Sequence, residues 1–393
     1  MCFLRKGSFI TGVLTGFIIS IVAAALIVGL LIGFNAAHFG QMAEVIYRIE
    51  AYSFQPVSVS DMVEGAAGGI VEALEDPYST YLKPEAYDDL EEHLSGSYGG
   101  IGLLITEDES QQLIVVSPFK GTPAYKAGIK SGDVIVKIED KDTSGISLVE
   151  AANLMKGQPG TKVRLTVLPR ENGRLQDFEI ERQEIQIPSV EGEILEEGGR
   201  IAYVNLMMFS EQTGSDLREV LRELDVHSAD GVIVDLRDNP GGALGAAVDV
   251  AGYFIPPGPV VHIVYKSREE TLTTQDNFIK KPLVVLVNEG SASASEIVAG
   301  AVKDSGSGTL VGSTTFGKGL VQSVFPLTDG AALKLTTAKY LTPKRKDIHK
   351  KGIKPDVEIK MDPELAREAL LFAPNLEKDP QLQKAVEILQ EQI

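Results

Sequence analysis

Ser293 is the residue that the sequence places best for nucleophilic chemistry. It follows an apolar run at 282–287 and a glycine turn, and a helical pattern begins directly after it. A serine at a strand-to-helix turn is accessible to substrate, and backbone N–H groups at the helix start can stabilise an oxyanion. A structural interpretation competes, because Ser293 and Glu296 also fit a capping box. This segment alone favours the structural interpretation.

Lys318 and Gln322 are a candidate base and its partner. They lie four residues apart in a strand-like run, so in a strand they share one face. Among apolar residues and glycines, the pKa of a lysine can be lowered by desolvation, and the neutral amine can then act as a general base. Gln322 would orient that amine without adding charge. Taken alone, a solvated lysine on an edge strand is the simpler interpretation.

Other catalytic classes have no support in the sequence. None of the five histidines has the context of a Ser-His-Asp triad, and no HExxH spacing is present. The glycine-rich loop 238–242 lacks the GxxxxGK[ST] pattern of a phosphate cradle. The formal net charge of -18 argues against non-specific nucleic-acid binding. We expect no metal and no cofactor.

Two blocks of different composition must position these residues. From about 185 to 360, apolar strands such as 231–236 and 282–287 alternate with helical patterns, which predicts a layered α/β core. From 95 to 184, short strands and turns predict a separate small sheet. Within it, Ser147 and Glu150 form a capping box for a short helix.

Several motifs in this order resemble the carboxyl-terminal processing peptidases, also called tail-specific proteases. The resemblance covers roughly 61–359 and includes the 25-residue spacing between Ser293 and Lys318. The motifs are Gly-Ser-Ala-Ser-Ala-Ser-Glu-Ile at 290–297, Thr-Phe-Gly-Lys-Gly-Leu-Val-Gln at 315–322, Asp-Leu-Arg-Asp-Asn-Pro-Gly-Gly at 235–242, Thr-Thr-Ala-Lys-Tyr at 336–340 and Gly-Ile-Lys-Pro-Asp at 352–356.

The resemblance implies roles for individual residues. Ser293 would be the nucleophile of a serine endopeptidase, Lys318 its general base and Gln322 the partner of the lysine. The oxyanion hole would consist of the Gly241 amide and the amide of Ser293 or of its neighbour. The implied fold is a crotonase-like α/β protease core with an inserted PDZ-like domain and helical N- and C-terminal segments.

The PDZ-like block implies a way of selecting substrates. Its carboxylate-binding loop would be Gly100, Ile101, Gly102 and Leu103, and the domain would bind free, apolar C-terminal tails as an added strand. The chain departs from many relatives at 139–141, where Glu-Asp-Lys replaces an Asn-Gly-type turn. That departure alters a turn and involves none of the candidate catalytic residues.

The N-terminus carries a hydrophobic segment of membrane-spanning length. Residues 9–34 are mostly apolar and hold no charge over 26 positions, and about 20 are enough to cross a bilayer. Arg5 and Lys6 precede this segment, which predicts a cytoplasmic N-terminus and an extracytoplasmic remainder. The length favours a retained anchor, while 35–37 leaves signal-peptide cleavage open. Cys2, beside the segment, is a candidate for acylation.

These patterns and the resemblance together imply a domain order and a set of partners. Protein substrates are expected, with a homodimer through the helical ends and a regulatory partner as further hypotheses. The alternatives are a catalytically silent PDZ-bearing membrane scaffold and, on fold alone, an acyl-CoA enzyme, which an outward-facing domain makes implausible. The predicted segments are a cytoplasmic N-terminus (1–8), a transmembrane anchor (9–34), a helical region (40–94), a PDZ domain (95–184), a peptidase core (185–360) and a C-terminal helical region (361–393).

Overall fold

The computed structural model describes residues 39–108, 110–171, 173–274, 277–361 and 374–393, which fall into two units. The first unit ends at Tyr81 and the second begins at Leu82. The predicted anchor at 9–34 lies outside the described residues. Within the described part of the chain, no helix is both long enough and apolar enough to span a bilayer.

The first unit is helical, as the sequence predicts for 40–94. Helix α1 covers 39–52, helix α2 is Val59–Glu72, and strand β1 (Thr80–Leu82) lies where the unit ends. Among its described residues only Val71 is buried. The large apolar side chains of this unit are otherwise exposed or partly exposed.

The PDZ-like domain is a six-stranded antiparallel sheet closed by two short helices. The chain enters the domain along β2 and leaves it along β9, and these two strands pair with each other. That pairing identifies the domain as an insertion into the larger fold. Its elements are helix α3 (Pro84–Ser95) before it, then β2 (Ser97–Gly100), β3 (Leu103–Glu107), β4 (Leu113–Pro118), α4 (Pro123–Ala127), β5 (Val134–Ile138), β6 (Lys141–Asp142), α5 (Leu148–Met155), β7 (Lys162–Leu168), β8 (Gln176–Glu181) and β9 (Gln183–Gln186).

The larger fold contains a second six-stranded sheet, ordered β10-β11-β12-β15-β16-β19, in which every pair after the first is parallel. Its elements are β10 (Val190–Leu195), β11 (Ile201–Leu206), α6 (Thr213–Glu223), a 3-10 turn (Val226–Ser228), β12 (Gly231–Asp235), α7 (Leu244–Phe254), β13 (Pro259–Tyr265), β14 (Glu269–Thr273), β15 (Leu283–Val287), α8 (Ala294–Ser305), β16 (Thr309–Gly312), β17 (Leu320–Pro326), β18 (Ala332–Leu341), β19 (Val357–Glu358) and α9 (Pro380–Gln390).

Both faces of this parallel sheet are buried, which explains the continuous apolar strands. In β12, Val232 and Val234 face the core formed with α6, α7 and α8, whereas Ile233 faces the opposite layer. Strands buried on both sides need apolar residues at every position. The predicted α/β core is therefore confirmed.

Helix α9 covers the second face of the sheet. Its apolar stripe, Leu382, Ala385, Val386 and Leu389, is buried against strands of this sheet. The amphipathic pattern of this helix is confirmed. Because the stripe packs within its own unit, it is not available to a partner subunit. Residues 362–373 of the predicted helical region (361–393) lie outside the described residues.

Candidate active site

Ser293 lies at the junction of β15 and α8 in an unusual backbone conformation. Its φ of 54° and ψ of -112° lie in a region that costs a non-glycine residue about 1–3 kcal/mol. Surrounding contacts hold the turn in place: Tyr340 Oη donates to Ser293 O at 3.1 Å, and Ser291 Oγ donates to Leu236 O at 2.7 Å. The turn therefore presents the Ser293 side chain in a fixed direction.

Glu296 connects the backbone of Ser293 to the segment that carries Lys318. Its side chain is fully buried and accepts four hydrogen bonds. Oε2 accepts from Ser293 N at 3.0 Å and from Lys318 N at 2.8 Å. Oε1 accepts from Thr315 Oγ1 at 2.6 Å and from Gly317 N at 2.7 Å. One carboxylate thus sets the position of both candidate catalytic residues.

Lys318 and Gln322 are in direct contact. Lys318 Nζ donates to Gln322 Oε1 at 3.0 Å. Burial lowers the pKa of Lys318 from its ordinary value and the charge of Lys334 lowers it further, whereas the charge of Glu296 acts in the opposite direction. A lowered pKa increases the fraction of neutral amine that can accept a proton.

The loop after β12 reaches the nucleophile turn because it carries glycine. Gly241 has a φ of 98°, and a Cβ there would lie 2.7 Å from Ala292 O and 2.8 Å from Ala294 N. Asn239 fixes the loop: its Nδ2 donates to Leu206 O at 2.7 Å and its Oδ1 accepts from Gly241 N at 2.9 Å.

Two of the amides predicted for the oxyanion hole, those of Gly241 and Ser293, already donate within the protein. Gly241 N donates to Asn239 Oδ1, and Ser293 N donates to Glu296 Oε2. The next amides along the chain are differently placed. Ala294 N is the first amide of α8. Gly242 lies at the end of the loop and forms a parallel bridge with Phe209. Phe209 N donates to Gly241 O at 3.1 Å and Ala243 N donates to Phe209 O at 2.6 Å, so the Gly242 amide is directed away from Phe209.

A cavity of about 360 Å³ brings the candidate residues together. Ser293, Lys318, Gln322 and Gly241 all contribute to its wall. The remaining wall is mainly apolar, with three further charged or titratable residues that the motifs did not indicate. These are His93, Glu211 and Lys334. Exposed His93 comes from α3, and within the described part of the chain no hydrogen bond joins it to Ser293 or Lys318.

A buried ionic cluster anchors the start of the glycine-rich loop. The side chains of Arg237 and Asp379 are 4% and 2% exposed, and Arg237 Nη1 lies 2.8 Å from Asp379 Oδ2. Arg237 also pairs with Asp235, whose Oδ2 accepts from Tyr203 Oη at 2.7 Å. Two carboxylates raise the pKa of Arg237 despite its burial. This cluster joins the residue before the loop to the N-terminus of α9.

The predicted carboxylate-binding loop lies in the PDZ-like domain and does not contribute to the cavity wall. Its carbonyls point into the domain: Ile101 O accepts from Ala124 N at 2.9 Å and Gly102 O from Phe119 N at 3.0 Å. Gly102 has a φ of 78°, and a Cβ there would lie 2.5 Å from Thr122. The loop leads into β3, an edge strand beside α5. An edge strand can accept an added peptide strand.

Comparison with known proteins gives consistent matches along most of the chain. Residues 200–359 match the family described as Peptidase family S41, and residues 114–169 match the PDZ domain. The carboxy-terminal processing protease CtpA of Bacillus subtilis (strain 168) is 38% identical over 326 residues, covering 82% of this chain and 69% of that protein.

Two further matches agree with this one. The carboxyl-terminal-processing protease of Synechocystis sp. (strain PCC 6803) is 39% identical over 312 residues, covering 78% of this chain and 73% of that protein. The crystal structure of a protein assigned to the S41 proteases from Bacteroides fragilis aligns with a TM-score of 0.52 at 18% identity. It covers 83% of this chain and 90% of that one. At that identity the structural match supports the fold alone.

Proposed function

This chain belongs to the carboxyl-terminal processing proteases of peptidase family S41, and we propose that it cleaves peptide bonds with Ser293 as nucleophile and Lys318 as general base. The family establishes a serine-type peptidase with a PDZ domain. The observation that supports the assignment of residues is the shared cavity. It brings Ser293 together with a partly buried lysine whose amine is oriented by Gln322.

The proposed reaction proceeds by acyl transfer. Neutral Lys318 accepts the hydroxyl proton of Ser293 as the serine oxygen attacks the scissile carbonyl. The protonated lysine then gives that proton to the leaving amine, and the acyl-enzyme forms. A water molecule, deprotonated by Lys318, hydrolyses the ester and regenerates Ser293. Gln322 accepts a hydrogen bond from the amine and adds no charge that would raise its pKa.

We assign the oxyanion to the amides of Ala294 and Gly242. The Ser293 amide is bound to Glu296, which favours the neighbouring Ala294 amide at the positive end of α8. The Gly241 amide is bound to Asn239, which favours Gly242 as the donor from the loop. A single oxyanion-hole donor is typically worth about 3 kcal/mol in the transition state. The role of Gly241 is then steric, because only glycine allows the loop to approach this closely.

The test of the catalytic assignment is cleavage of an unstructured peptide with a free, apolar C-terminus. Ser293→Ala and Lys318→Ala should each reduce kcat by about a thousandfold or more. His93→Gln serves as the matched control, because His93 is the other candidate base in the cavity wall. Full activity of Lys318→Ala, together with loss in His93→Gln, would replace the lysine with the histidine as base.

Substrate selection is proposed to lie in the PDZ domain. Beside edge strand β3, apolar side chains of Leu103, Ile105 and Leu148 are partly buried against the domain core. An extended tail added to β3 would place an apolar terminal residue near them and its carboxylate at the 100–103 loop. Peptides with a free C-terminus should therefore bind the enzyme more tightly than amidated peptides. Equal affinity for both would refute this role.

We further propose that residues 9–34 anchor the enzyme with its catalytic unit outside the cytoplasm. The support comes from the uncharged apolar run and the preceding Arg5 and Lys6. The test uses the single native cysteine: in a Cys2→Ser background, exposed Gln55→Cys should react with a membrane-impermeant maleimide on intact cells. Labelling only after cell lysis would contradict the orientation.

A homodimer through the first unit is proposed on a separate observation. Many large apolar side chains of 39–74 are exposed, whereas those of α9 are buried in the peptidase core. Light scattering on residues 39–393 should give twice the protomer mass. A monomer at micromolar concentration would refute the dimer. Control by a regulatory partner stays a prediction from the sequence.

A further inference from the structure

Lys334 is a second lysine in the wall of the catalytic cavity. It lies on β18 directly opposite Val324 of β17, and the pair two positions along this ladder is Gln322 with Thr336. Residues two apart on a strand face the same side. The Lys334 side chain therefore lies on the face that carries Gln322, about 7 Å further along the strands.

No hydrogen bond or ion pair joins Lys334 to any other residue that the structure describes. Its side chain is partly buried, and the only carboxylate in the cavity wall is exposed Glu211, which is not bonded to it. An ammonium group that loses solvent without gaining a counter-charge is unfavourable. A cavity that contains such a group is suited to a ligand that carries a negative charge.

During turnover the occupant of this cavity is a peptide, and the anionic groups of an unmodified peptide are carboxylates. We propose that Lys334 binds a carboxylate of the substrate, so that the enzyme prefers a negative charge close to the scissile bond. The carboxylate is either an Asp or Glu side chain or the terminal carboxylate of a short leaving tail. The distance along the ladder corresponds to about two residues of extended peptide. This proposal rests on the proposed function of Ser293 and Lys318.

Lys334 also acts on the proton affinity of Lys318, and that effect must be separated from substrate binding. Removing the charge of Lys334 changes the pKa of Lys318, and this change is the same for every substrate. A ratio of kcat/KM between two substrates cancels this common change. The measurement is therefore the preference for a charged over a neutral peptide, and not the activity itself.

The experiment uses peptides with one constant free C-terminus in which Asp or Asn occupies each of the three positions on either side of the scissile bond. A second set has three residues after the scissile bond and ends in a carboxylate or an amide. The enzymes are wild type, Lys334→Gln, Lys334→Arg and Lys339→Gln. Lys339 is the matched control, because it lies on the same strand, is exposed and does not contribute to the cavity wall.

Wild type, Lys334→Arg and Lys339→Gln should prefer the charged peptide about fivefold in at least one pair, and Lys334→Gln should show no preference. Preference in the Asp/Asn set identifies a side-chain carboxylate, and preference in the tail set alone identifies the terminal carboxylate. The preference should weaken with added salt.

Equal preference in wild type and Lys334→Gln at every position would overturn the proposal, as would no preference in wild type. If thermal melting shows that Lys334→Gln does not fold, the preference of the wild-type enzyme and its salt dependence test the proposal instead. Cleavage by Ser293→Ala would instead refute the proposed function, so the two failures are distinguishable.

Discussion

Replacing Glu296 by glutamine tests whether one carboxylate holds both halves of the catalytic pair. Its two oxygens accept bonds from Ser293 N, Lys318 N, Gly317 N and Thr315 Oγ1. A glutamine of the same shape offers one accepting oxygen and one NH₂ group. In either orientation of the amide, two of the four bonds are lost. The NH₂ group then faces the two donors that the replaced oxygen had accepted.

The magnitude follows from the number and type of these bonds. A hydrogen bond to a charged group contributes about 1.5–3 kcal/mol, so two losses amount to about 3–6 kcal/mol before relaxation. We expect the free energy of unfolding of Glu296→Gln to fall by about 3 kcal/mol or more. Displacing Ser293 or Lys318 by about 1 Å should also lower kcat by about a hundredfold.

The pH dependence has a definite sign. Activity requires neutral Lys318 and so rises as pH increases through its pKa. The charge of Glu296 raises that pKa, so the substitution should move the rising limb of kcat/KM to lower pH.

The assays are denaturant unfolding and a pH series of peptide cleavage. Exposed Glu289 in the same turn supplies the control Glu289→Gln, which should change stability by less than about 0.5 kcal/mol. A limb that moves to higher pH would refute the electrostatic argument, and unchanged stability would refute the role of the four bonds.

Three further substitutions have outcomes set by the structure. Gly241→Ala should reduce kcat by about a hundredfold or more, because its Cβ would overlap the nucleophile turn, whereas Gly245→Ala, which meets nothing within 4 Å, should keep full activity in the same peptide assay. Asp379→Ala should cost about 3–5 kcal/mol in denaturant unfolding, because it leaves a buried guanidinium short of a partner, and a cost below 1 kcal/mol would contradict the importance of that ion pair. Lys334→Gln should move the rising limb to higher pH, opposite to Glu296→Gln, because a positive charge that lowers the pKa of Lys318 is removed.

Local sequence patterns determined the elements that carry the site. The apolar run before Ser293 forms β15, buried at every position, and the following residues form α8. Ser147 caps α5 as its pattern predicts, accepting from Glu150 N at 3.2 Å. These features depend on residues a few positions apart, and periodicity and capping chemistry report such short-range preferences directly.

The contact between Lys318 and Gln322 shows where local reasoning is incomplete. The spacing predicted a shared strand face, yet β17 begins only at Leu320 and its register shifts between Val321 and Gln322. The two side chains still meet at 3.0 Å. The loop held by Glu296 and the irregular strand produce this contact, and a regular strand alone would not.

Only the tertiary structure decided which groups share the cavity. Asn239 Oδ1 accepts a hydrogen bond from the Gly241 amide, and Glu296 joins segments about 20 residues apart. His93 and Lys334 contribute to the wall although neither lies within one of the motifs. Each of these contacts depends on sheet order, register and the closure of long loops. Those are fixed by burial summed over the whole core, which no short stretch of sequence encodes by itself.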